Sequence, residues 1–157
     1  SCAGPIRFLA PLFWLLRTVP PINEKGVPVS VDFDSNRHTK ELHFNRVFQF
    51  RNRRPYILRS RMSQVKANEI VEVLNCGICW LGTCSWRKGK VVMEHKGYAL
   101  KLLGHSVPLP ITFLLGQVES EEIPVDTDTF HTRVTIKHPW FGVVYEYKGL
   151  FKITSGA

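Results

Sequence analysis

An arginine stands in an otherwise apolar row. Over Leu42-His43-Phe44-Asn45-Arg46-Val47-Phe48-Gln49-Phe50 the side chains alternate with period two. Leu42, Phe44, Phe48 and Phe50 therefore share one face of a strand, and Arg46 lies in the middle of that face. Burying an unpaired guanidinium is costly, so the fold or a ligand must supply an acceptor. Two chemistries follow. Arg46 either closes a structural ion pair with a carboxylate on a neighbouring strand, or it anchors the acid group of a mainly apolar ligand.

Other groups offer less. Eight Lys and Arg lie between Arg37 and Arg61 against one acid, Glu41. Arg51, Arg53, Arg54, Arg59 and Arg61 form the outer part of this run, an anion-binding surface on a hairpin. Nucleic acid is disfavoured as its partner, because alternation sets Phe44, Phe48 and Phe50 opposite most of the arginines and leaves no exposed stacking platform. An anionic membrane surface is the alternative.

Cys76-Gly77-Ile78-Cys79 is a lone C-x-x-C embedded in apolar residues that read as strand, not as the start of a redox-active helix. With Cys2 and Cys84 it makes four cysteines in 157 residues. That is no secreted disulfide framework, and it points to buried thiols in a reducing, cytoplasmic compartment. The six histidines show no paired helical spacing, and no second pair of zinc ligands is evident. Neither a metal nor a cofactor is expected. Dinucleotide fingerprints, P-loops, H-E-x-x-H and G-x-S-x-G are all missing from the sequence.

The elements that position these groups are mostly strands. The length suits one domain, residues 1–157, and 44% hydrophobic residues with a mean hydropathy of −0.08 describe an ordinary globular chain. Residues 1–19 predict an amphipathic helix capping the core. Its apolar run of about eleven residues falls short of the roughly twenty that cross a bilayer. Phe8, Phe13 and Trp14 between Arg7 and Arg17 give it a membrane-surface alternative.

Residues 27–153 predict an antiparallel β core. Val27–Phe33 reads as an edge strand because of Pro28, and Tyr56–Met62 as the antiparallel partner of the Arg46 strand, with Tyr56, Leu58 and Met62 on one face. Glu69–Leu74 and Ile78–Trp86 follow, then an Arg87-Lys88-Gly89 turn into Lys90–Gly97. Ile111–Gly116 fits a helical turn or a buried strand equally. Phe130, Thr132, Val134 and Ile136 alternate with His131, Arg133, Thr135 and Lys137 along a long strand, and Val143–Ile153 returns beside it. The fold class is mainly β. About eight or nine antiparallel strands are curved or closed into a barrel, with one or two short helices.

Glu94, sharing its side with Val92 and Tyr98, is the first choice of partner for Arg46, followed by Glu119 and Glu121. Tyr145 and Tyr147, on one face with Val143, line the same space.

In order, these motifs resemble the domain of unknown function 4166 family. The resemblance rests on Phe44-x-Arg46-x-Phe48, where that family has Trp at the first position, and on Glu94-x-x-Gly97. Pro108-Leu109-Pro110, an acid at Glu119 or Glu121, Phe130, Pro139, Gly142 and Tyr147-x-Gly149 complete it. It implies fold integrity over roughly residues 20–153 and an important role for Arg46. The family occurs alone or joined to a nucleotide-binding dehydrogenase-like domain, so a fused or associated domain of that kind is a candidate partner. The resemblance also implies an N-terminal truncation of the family domain. No reaction comes with it.

The functional expectation is a non-catalytic module that binds an apolar or acidic small molecule through Arg46, Glu94, Tyr145, Tyr147, Phe44 and Phe48. An enzyme or enzyme-associated domain using Arg46 and a carboxylate is the first alternative. An electrostatic binder acting through the 51–61 hairpin is the second.

Overall fold

A computed structural model describes residues 19–154 except 21, 37, 38, 40, 75, 76 and 104. The helix expected over residues 1–19, together with Cys2, Arg37, His38, Lys40 and Cys76, lies almost wholly outside them. The chain forms β1 (Val29–Asn36), β2 (Glu41–Phe48), β3 (Tyr56–Lys66), β4 (Glu69–Leu74), β5 (Ile78–Arg87), β6 (Lys90–Leu102) and β7 (His105–Leu109). A one-turn helix α1 (Thr112–Leu115) then precedes β8 (Gln117–Pro124), β9 (Thr129–His138) and β10 (Gly142–Lys152).

Every strand except β8 pairs antiparallel with its predecessor, and β8 pairs instead with β6. The order is β1-β2-β3-β4-β5-β6-β8-β9-β10, with the short β7 attached only to β6. Besides β5, the long β6 serves two further neighbours: Val91–Met93 pair with β8, and Tyr98–Leu102 pair with β7. The sheet curls into a half-barrel, so the expected mainly-β antiparallel fold is present, and Ile111–Gly116 resolves as the helical turn.

Local chemistry sets the turns. Lys88 and Gly89, at φ 49 and 78, make the two-residue turn whose twist suits a hairpin. At Gly116 (φ 82) a Cβ would come 2.8 Å from an Ile136 methyl and 2.9 Å from the Lys137 carbonyl oxygen, so only glycine fits.

Register assigns the inner row strand by strand. It runs through Phe44, Arg46 and Phe48, then Leu58, Ser60 and Met62, then Ile70 and Glu72, then Ile78 and Trp80. Across the far strands it continues through Met93, His95, Ser120, Glu122, Thr132, Val134, Tyr145 and Tyr147. Ile70, Ile78, Trp80, Tyr98, Leu115, Ile136, Val144 and Tyr145 pack as the main core, and Phe48, Phe50 and Leu58 as a second cluster. Each such side chain contributes about 1.5–3 kcal/mol on full burial.

Two bulges correct the sequence reading. In the β5–β6 ladder, Leu81 pairs with Gly97 but Gly82 with His95, which leaves Lys96 unopposed. This slip puts Tyr98, His95 and Met93 on the inner face and turns Val92 and Glu94 outward. In the β9–β10 ladder the register shifts between Val143 and Tyr145. Val143 is consequently exposed, while Val144 and Tyr145 are buried, so Val143 does not share a face with the tyrosines.

Candidate functional site

The inner face of β2 to β4 carries a closed polar triangle. Arg46 Nη1 donates to Ser60 Oγ at 2.9 Å and to Glu72 Oε1 at 3.0 Å. Ser60 Oγ in turn donates to the same Glu72 oxygen at 2.6 Å. The Arg46 and Glu72 side chains retain 17% and 15% exposure, so the pair is largely desolvated. The Arg46 guanidinium also lies 4.8 Å from the centre of the Phe44 ring, a cation–π contact.

Glu72 is the partner that Arg46 requires. Glu94 is not: it sits on the outer face, where both its oxygens accept from Arg87 at 3.1 and 2.8 Å. Glu119 and Glu121 also fall on the outer row of β8, held by Lys137 and Lys90 at 2.5 and 2.6 Å. Odd-numbered residues of β8 face outward, which leaves Glu122 as that strand's inner carboxylate.

The opposite wall comes from β10 and β8. Tyr147 meets Phe48 edge-on at 6.3 Å and Tyr145 at 6.2 Å. Thus Arg46, Phe44, Phe48, Tyr145 and Tyr147 come together as expected, while Glu94 does not. Ser60, Glu72, Glu122 and Thr132 join them. Glu72 had a readable signal, because it interrupts the apolar row Ile70, Glu72, Leu74 as Arg46 interrupts its own. Ser60 and Thr132 carried none.

These groups feel one another. Burial alone would disfavour the Arg46 cation, but attraction to Glu72, Tyr147 and Glu122 outweighs it and raises the pKa above its ordinary value. Burial pushes the Glu122 carboxyl up, with Arg46 pulling the other way. Tyr147 is pushed up by burial, opposed by Arg46 and reinforced by Glu72 and Glu122. Burial and then Glu122 raise the Cys84 thiol on β5.

Donor capacity is left over. Among the described residues the guanidinium bonds only through Nη1, so Nε and Nη2 have no acceptor, and Glu122 has neither a hydrogen bond nor an ion pair. Thr132 is 6% exposed, and its Oγ1 is buried with no partner among the described residues. Thr132 lies directly opposite Glu122 in the β8–β9 ladder.

Two further features lie apart from this cluster. A cleft of about 620 Å³ at the far end of β1 to β4 is walled by Asp32, Asn45 and Arg59, and it meets the cluster only at Phe44 and Ser60. Deeper in the core, Trp80 Nε1 donates to His95 Nδ1 at 3.0 Å. That contact fixes the proton on Nε2, which faces Thr112 Oγ1 at 3.1 Å on α1.

Arg51, Arg53, Arg54, Arg59 and Arg61 are all exposed. Arg51 is near Glu24, and Arg61 near Glu41 at 3.9 Å. No group of three or more His, Cys, Asp or Glu among the described residues is placed to hold a metal ion. No described helix is long and apolar enough to cross a membrane.

A family model described as a domain of unknown function (DUF4166) matches residues 1–151. No curated protein and no solved structure matches the chain.

Proposed function

The chain belongs to this family of unknown function, and on that premise we propose that it is a small-molecule-binding module. Its ligand lies against the inner face of the half-barrel, with a polar head at Arg46 and an apolar body along Phe44, Phe48, Tyr145 and Tyr147. One observation carries this reading: a largely buried guanidinium that spends one nitrogen on its counter-ion and keeps Nε and Nη2 free among the described residues. A purely structural pair is served well by bidentate engagement of both guanidinium edges, and such pairs are common where Arg fixes a carboxylate.

Catalysis is the second reading, favoured by Glu122. A half-buried carboxyl with a raised pKa beside a cation has the character of a general acid or base. The exposed basic turn is the weaker alternative, because Asp32 and Asp34 stand beside Arg59 and Arg61 in the outer cleft and offset part of its charge.

Native mass spectrometry with a panel of apolar carboxylates, alcohols and amines tests the proposal. Wild type takes up one copy of a panel member. The Arg46→Met/Glu72→Leu variant, whose inner face is apolar at both positions, stays folded and takes up none. A wild-type protein that takes up no panel member overturns the reading.

A further inference from the structure

Resting on the binding reading above, we infer that the ligand's head is a carboxylate, received between Arg46 and Glu122 with uptake of one proton by Glu122. Among the described residues the inner face holds one cation and two acids, so neutralising one acid favours entry of an anion. Glu72 cannot readily be that acid. It accepts from both Arg46 and Ser60, and protonation would weaken a desolvated ion pair. Glu122 is free to change state, since no described residue hydrogen-bonds to it or pairs with it.

Protonated Glu122 is a donor as well as an acceptor. With Arg46 Nη2 and Nε it would present donors from two sides to one carboxylate. Thr132 Oγ1, buried opposite Glu122 and unpartnered among the described residues, supplies a third. Thr132 is also evidence for a ligand in its own right, because a buried hydroxyl without a partner is costly.

The other groups facing Glu122 are accounted for. Arg46 on β2, which holds Glu72 of β4, attracts it electrostatically without forming an ion pair with it. Cys84 lies on β5 and Tyr147 on β10. Val91 from β6 and Thr132 from β9 are its uncharged neighbours in the ladder. An incoming anion adds negative charge beside Glu122 and disfavours its ionised form, so binding and protonation are linked. The proton comes from solvent, and no covalent bond changes.

Calorimetric titration of octanoate, with octanol and octylamine as controls, tests this from about pH 6 to 8 in two buffers of different ionisation enthalpy. Octanoate is fully ionised across that range. The expected result is binding of octanoate above either control, uptake of up to one proton per ligand, and an affinity falling by as much as about tenfold per pH unit. Glu122→Gln, neutral at every pH, flattens that profile. The two-buffer measurement on wild type stands alone if this variant does not fold.

Octanoate binding without proton uptake overturns the inference and leaves the binding reading intact. Binding of octylamine or octanol in preference to octanoate does the same. Failure of all three probes counts against the binding reading itself.

Discussion

Replacing Arg46 by Met leaves the Glu72 carboxylate on the inner face with Ser60 Oγ as its one hydrogen-bond donor among the described residues. Breaking a buried pair from one side costs about 3–5 kcal/mol, because a charge remains without compensation. The 15–17% exposure of the two side chains places this pair toward the lower end, about 3 kcal/mol. Glu72→Leu, which strands the guanidinium instead, costs a similar amount. In a chain of this size that corresponds to a fall in melting temperature of about 6–12 °C for either variant.

The double variant removes both charges and leaves side chains that suit their neighbours. Met at 46 lies among Phe44, Phe48 and Leu58, and Leu at 72 lies between Met62 and Trp80 in the ladders. Its expected cost is no more than about 3 kcal/mol, against about 6 if the sites were independent, so the coupling is at least about 3 kcal/mol. Urea unfolding followed by tryptophan fluorescence measures all three variants. An additive cycle would refute the triangle as the unit that holds Arg46.

The misassigned acid gives a direct contrast: Glu94→Gln, in a pair whose side chains are 45–56% exposed, changes stability by less than about 1 kcal/mol. A loss matching that of Glu72→Leu in the same urea titration would return Glu94 to the role of counter-ion. His95 gives a pH dependence of known sign. Burial holds its pKa below 6.5, so the unfolded chain takes up the proton first. Its contribution is present above about pH 6.5 and is lost as the pH falls through that value, by up to about 1.4 kcal/mol per pH unit. Urea midpoints across pH 5 to 8 should therefore fall on the acid side more for wild type than for His95→Gln; parallel curves would contradict the neutral tautomer. Gly116→Ala meets both a positive φ and two close contacts and should cost about 3 kcal/mol in thermal unfolding. A loss under about 1 kcal/mol would show that the α1–β8 junction can shift to accept a Cβ.

Period-two alternation carried most of the architecture into view, since every strand with one buried face writes that face into the sequence. It located Arg46, Tyr147 and the row from Phe130 to Ile136 correctly, because the stretches that carry them run without interruption. It failed where a single residue was inserted into a ladder. The bulge at Lys96 reverses the phase between Tyr98 and Glu94, and the bulge before Tyr145 reverses it at Val143. Neither leaves a compositional mark, because a bulge is a property of two paired strands and not of one. Glu72 was readable by the same test that singled out Arg46. Glu122 and Thr132 depended on the register of β8 against β9, which no single segment specifies.

The central claim is that the inner face at Arg46 binds a ligand. Mapping amide and side-chain NMR shifts during an octanoate titration locates that ligand directly. Shifts gathered on Phe44, Arg46 with its Nε–H, Thr132 and Tyr147 are the predicted result. Shifts confined to Asp32, Asn45 and Arg59 in the outer cleft, or to Arg53 and Arg54 on the basic turn, would contradict it.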